Sequence, residues 1–107
     1  MDEKLIKLIV KETIEELKRS GILKSFNELA YSEITAILKA YYDEGETDSV
    51  ITMALNDIES DPYYKIIPLY FRYNYTIEKI AEVFEVEIST ITRNKKRLCL
   101  AIYNAIQ

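Results

Sequence analysis

The 107-residue chain has no histidine and no tryptophan, one cysteine, two glycines and two prolines. Each shortage excludes something. Without histidine, the commonest general base near neutral pH and the commonest metal ligand are both missing. Cys99 alone cannot close an intrachain disulfide, and a cysteine-based zinc site would lack ligands. Gly21, Gly45, Pro62 and Pro68 are too few turn residues for a many-stranded domain, so the balance leans towards helices. No apolar run approaches the roughly 20 residues that span a bilayer. The opening MDEKLIK lacks the apolar core of a signal peptide. Together these absences predict a soluble protein of a reducing, cytoplasmic setting, with no membrane partner, no metal and no cofactor. No nucleophile stands beside a base, and no Gly-rich phosphate loop or recognisable carboxylate pair occurs, so the expectation is a protein that is not an enzyme.

What the chain does have is helical periodicity. Apolar residues are 49% and charged residues 30% of the total, an ordinary globular balance. Leu5, Ile6, Ile9, Val10, Ile14 and Leu17 predict a first helix ending at Gly21. Ser25-Phe26-Asn27-Glu28 has the form of a capping box opening a second, with Leu29, Ala30, Ile34, Ile37, Leu38, Tyr41 and Tyr42 inward. DEGET, residues 43–47, breaks it. A third helix is expected from about Asp48 to Ser60 on Val50, Ile51, Ala54, Leu55 and Ile58. Asp61-Pro62 reads as a cap and first-turn proline opening a fourth, which Pro68 should kink or split. Asn74 is a left-handed stop, and Thr76 caps IEKIAEVFE. A last helix starts at Ile88 or Ser89. The predicted class is all-α with five to six helices, drawn as an N-terminal region (1–61) and a C-terminal region (62–107) within one compact domain.

Charge is sorted along this chain. Residues 1–75 carry nine basic and fourteen acidic side chains, whereas residues 88–107 carry four basic side chains and no acid. Those four fall between Arg93 and Arg97, on the last helix. The stretch TIEKIAEVFEVEISTITRNKKRL, residues 76–98, has the layout of a helix-turn-helix. Ile80-Ala81 supplies an apolar residue and a small one where two helices cross, Val83 and Phe84 extend that face, and Val86 anchors the turn. Ile88 and Ile91 then fasten the second helix. On this layout Ser89, Thr90, Thr92 and Arg93 meet base edges of double-stranded DNA, with Arg93 suited to guanine. Lys95, Lys96 and Arg97 lean on phosphates.

Residues 63–107 resemble the helix-turn-helix of sigma factors, and more closely the small phage-encoded regulators of the ArpU and RinA type. The resemblance rests on Tyr70-Phe71, Thr76, Ile80-Ala81, Ser89-Thr90-Ile91, Arg93 and Lys96-Arg97. It implies transcriptional control of phage or prophage genes through promoter DNA, RNA polymerase or both. The chain departs from the family pattern at Glu85, where the turn usually has glycine, at Glu87 beside the presumed groove, and at Pro68. A single helix-turn-helix reads few base pairs, so tight binding calls for a second anchor, a homodimer partner or polymerase. The alternative is a sigma-like adaptor, in which Glu82, Glu85 and Glu87 interleave with the cations and meet a protein. The nine tyrosines fall largely on apolar stripes and are expected to pack rather than to stack on single-stranded nucleic acid.

Overall fold

The computed structural model describes residues 23–107, and the helix expected before Gly21 lies outside them. Five helices form among the described residues: α1 (Leu23–Asp43), α2 (Ser49–Ile58), α3 (Ile66–Phe71), α4 (Ile77–Phe84) and α5 (Ile88–Ile106). They contain no strand, so the all-α expectation holds. The chain divides into two compact units, Met1–Ala30 and Tyr31–Gln107. Of the first, the described part is the opening of α1, where Phe26 and Leu29 are exposed. The second holds the rest of α1 and helices α2 to α5.

The ends of the helices follow local chemistry. Helix α1 already includes Leu23, so the start expected at Ser25 falls within it. A cap needs non-helical backbone, and Leu23-Lys24, both good helix formers, continue the helix across that point. The helix stops where Gly45 and Glu46 turn left-handed, at φ 93° and 62°, and the Glu46 amide donates back to Tyr41 at 2.9 Å. Asp48 caps α2 by accepting from the Val50 and Ile51 amides at 2.9 and 3.1 Å. Asp61 accepts from the Tyr63 amide at 2.9 Å and opens a run of i→i+3 bonds before α3 starts at Ile66. Pro68 is tolerated because it falls in the first turn of α3, where its missing N–H would have had no helical acceptor. Asn74 is left-handed at φ 57°, and Thr76 caps α4 by accepting from the Lys79 amide at 3.1 Å.

Two apolar clusters share α5. The larger joins α1, α2, α3 and α5 through Ile34, Leu38, Ile51, Leu55, Ile67, Leu98 and Ile102. The smaller joins α3, α4 and α5 through Ile66, Ile80, Ala81 and Ile91. The line drawn at residue 61 therefore runs through a shared core. Tyr41 and Phe71 are buried and Tyr42, Tyr63, Tyr64 and Tyr70 pack at the margins, as their stripes predict. Leu29, expected inward, is 70% exposed. Val50 of α2 is also exposed, as are Val83 and Ile88, which the helix-turn-helix layout places in its core. Ile88 is in phase with the buried stripe of α5 but stands at the helix start, where little covers it.

The turn between α4 and α5 is only Glu85, Val86 and Glu87. Glu85 takes φ 57°, donating to Glu82 at 3.2 Å, and the Val86 amide reaches Ala81 at 3.1 Å. This pair of bonds closes the helix in the manner that normally selects glycine, and a side chain there costs about 1 kcal/mol. Glu85→Gly is accordingly expected to raise the unfolding free energy by about 1 kcal/mol, read as a melting-point rise of about 4–8 °C. A fall in melting temperature would show that the Glu85 side chain does more for the fold than its backbone conformation costs.

Candidate nucleic-acid interface

The inner stripe of α5 is Ile91, Lys95, Leu98, Cys99 and Ile102. Lys95 belongs to it by register, four residues after Ile91 and four before Cys99, and it is only 7% exposed. Its ammonium donates to the Tyr31 hydroxyl at 2.7 Å and lies 3.9 Å from the centre of the Tyr70 ring, with Phe71 at 5.6 Å. This aromatic cage replaces water by a hydroxyl and π faces. Burial pulls the lysine below its ordinary pKa and pushes the Cys99 thiol one turn away up to about 12. The Tyr31 hydroxyl is likewise pushed up to about 12, chiefly by burial. The expected phosphate contact of Lys95 is therefore corrected, since its charge serves the core.

Arg97 is on the surface, but it is committed. Its guanidinium grips Asp61 through two bonds of 2.9 and 3.0 Å, and its Nε donates to Asn94 Oδ1 at 3.2 Å. Asn94 in turn donates to the Thr90 carbonyl at 2.8 Å, so a chain of bonds runs from Thr90 through Asn94 and Arg97 to Asp61. The bidentate contact with Arg97 holds the Asp61 carboxyl below its usual range, and the amide of Tyr63 adds to this. Arg97 thus faces an acid of its own chain where a phosphate was expected.

The remaining predicted residues share the outer face of α5. Ser89, Thr92 and Arg93 are exposed, Lys96 is half-buried with its ammonium 6.0 Å from the Tyr31 ring, and Thr90 is half-buried. Thr92 donates its hydroxyl to the Ile88 carbonyl at 3.1 Å, which leaves its oxygen as an acceptor. Arg93 and Lys96 have no ion-pair partner among the described residues. Acids crowd the front of this face. Glu78, Glu82, Glu85 and Glu87 line a shallow depression together with Ile88 and Ser89. Ser89 therefore borders carboxylates, and Arg93 lies one helical turn further along the same face.

Asp61 and Asn94 were not singled out as parts of this site. Asn94 carries a signal in its spacing, four residues from Thr90 and three from Arg97. Asp61 carries none, because 36 residues separate it from Arg97. Among the described residues no group of three or more acidic or cysteine side chains is placed to hold a metal ion. No helix among them is long and apolar enough to cross a membrane.

Asp61→Asn keeps an oxygen for the Tyr63 amide and removes only the charge that Arg97 grips. A carboxylate with a lowered folded pKa contributes stability that is present above its unfolded value, near 3.8, and lost as pH falls through the folded value. Because the pair is partly exposed, the wild type should exceed Asp61→Asn by no more than about 1 kcal/mol at pH 7, and the gap should close in strong acid. Urea melts of both proteins at pH 7 and pH 2 give the two differences; a gap that persists at pH 2 would rule out the charged pair as its source. No family model, curated protein or solved structure matches this chain.

Proposed function

We propose that α4 and α5 act as a helix-turn-helix that binds double-stranded DNA. One observation carries this reading. After a three-residue turn, α5 buries one stripe and presents Ser89, Thr92, Arg93 and Lys96 on the other, with no acid anywhere along its own length. The front of such a helix is suited to base edges, where Arg93 offers two parallel donors to guanine and Ser89 and Thr92 offer hydroxyls. Lys96 supplies a phosphate contact, and the Thr90 backbone is occupied by Asn94. The resemblance to phage-type regulators directs the reading towards promoters of phage or prophage genes. With Lys95 and Arg97 committed internally, two cations are left for phosphate or base, so tight binding depends on a second anchor such as a homodimer partner or RNA polymerase.

The acid-lined depression favours a second reading, that of a sigma-like adaptor. Exposed Val83 and Ile88 flank the Glu78–Glu87 carboxylates and suit a basic protein surface with an apolar anchor.

Anisotropy of short labelled duplexes across a salt series separates the two. DNA binding should weaken with a log–log slope of about −2 or shallower, at roughly −0.9 for each phosphate neutralised. Lys96→Ala should lower affinity for all sequences alike, whereas Arg93→Ala should lose about 1–3 kcal/mol of discrimination at a selected site. Lys95→Met, which keeps the stem and removes a charge that never reaches the surface, should bind as the wild type does. A folded protein that binds no duplex at tens of micromolar transfers the site to the adaptor reading.

A further inference from the structure

A groove of about 610 Å³ lies between the middle of α1 and the connection from α3 to α4, and no residue of α5 lines it. Its size falls in the range of small-molecule sites. Three aromatic residues, Tyr70, Phe71 and Tyr75, contribute to its walls. Its polar groups include Thr35 and Asn74, and Lys39 is the one charged residue on its lining. In a chain with eighteen acids this acid-free lining stands out. Lys39 has no ion-pair partner among the described residues, so its charge is available to an occupant. The Thr35 hydroxyl donates to the Ser32 carbonyl at 2.8 Å, which leaves donor capacity concentrated at Lys39 and Asn74. Thr76, the cap of the eight-residue α4, borders the groove as well and brings the positive end of that helix to it.

An aromatic lining, one cation and an amide donor together suit an aromatic ring carrying a negative group. We propose that this groove binds a small aromatic carboxylate, with its ring against Tyr70 and Tyr75 and its carboxylate towards Lys39 and Asn74. The Tyr70 ring that borders the groove also lies 3.9 Å from the Lys95 ammonium, so an occupant sits one side chain from α5. The proposal stands apart from DNA binding, and its test uses no nucleic acid.

The test titrates 2-naphthoate, and separately its uncharged carboxamide, into the full chain, with calorimetry and amide chemical shifts as readouts. The expected result is saturable one-to-one binding of 2-naphthoate with shifts centred on Thr35, Asn74, Tyr75 and Thr76. Lys39→Ala, or the switch to carboxamide, should weaken binding about two- to fivefold, the scale of one exposed ionic contact. Ala36→Phe, which fills the groove from an exposed position on α1, should abolish binding while circular dichroism stays helical. Absence of saturation at millimolar 2-naphthoate overturns the proposal. Shifts confined to another surface also overturn it. Equal binding of carboxamide and carboxylate, indifferent to Lys39→Ala, removes anion recognition and leaves only an apolar groove. Should Ala36→Phe unfold the protein, the Lys39→Ala and carboxamide comparisons decide the matter alone.

Discussion

The unit from Tyr31 to Gln107 depends on one buried face of α5. Ile91 joins the smaller cluster and Leu98, Cys99 and Ile102 join the larger, so a single helix forms part of two cores. A helix in that position has no freedom to rotate, because turning it by one residue would expose about 100° of its apolar stripe. The register that buries Ile91 and Cys99 places Lys95 between them. An isolated buried ammonium is costly, and several kcal/mol of desolvation must be offset locally. The offset comes from α1 and α3 together, through the Tyr31 hydroxyl and the ring of Tyr70. The cage therefore links three helices at the seam of the two clusters, and it draws the Arg93–Arg97 run apart into inner and outer members.

The same register decides which charges remain outside. Arg93 and Lys96 fall on the outer face, while Arg97 lies where the turn after α2 delivers Asp61. That pairing ties α5 to the junction between α2 and α3, and the Asp61 side chain also organises the turn through the Tyr63 amide. Asp57, Glu59 and Asp61 could be read as a cluster of acids, but Asp61 is occupied by a backbone amide and a guanidinium. Cap and counterion are one side chain here.

Much of this was legible in the sequence where one residue type has one physical use. Thr76 and Asn74 declare their roles because capping and left-handed turns select few side chains. Glu85 is legible only through the resemblance, which puts the usual glycine of the turn at that position, and the structure gives it φ 57°. Ser25 misled because the same short polar pattern serves inside a helix when its neighbours are good helix formers. The candidate site was harder. Four bases in five positions look like one patch in a linear reading, yet consecutive residues on a helix point about 100° apart. Counting from Ile91 would have placed Lys95 inward. No count would have found Asp61 opposite Arg97 or Tyr31 under Lys95, because both contacts are made by tertiary packing across 36 and 64 residues.

On the proposed reading, the electrostatics of the interface acquire a particular logic. The chain carries a net charge of −4, and four carboxylates stand at the mouth of the face that would enter a groove. Two of the four cations of α5 are neutralised or buried before any ligand arrives. The field such a face projects is short-ranged and mixed in sign, and at physiological ionic strength exposed charges are screened beyond about 8 Å. Indiscriminate attraction to phosphate is then weak, and the carboxylates penalise any docking that does not keep them clear of the backbone. A correct site must supply hydrogen bonds to Arg93, Ser89 and Thr92 to offset that penalty, so discrimination comes from geometry. What is given up is affinity, which two cations cannot restore. The mixed charge of the face and the need for a second anchor are thus two consequences of one helix register.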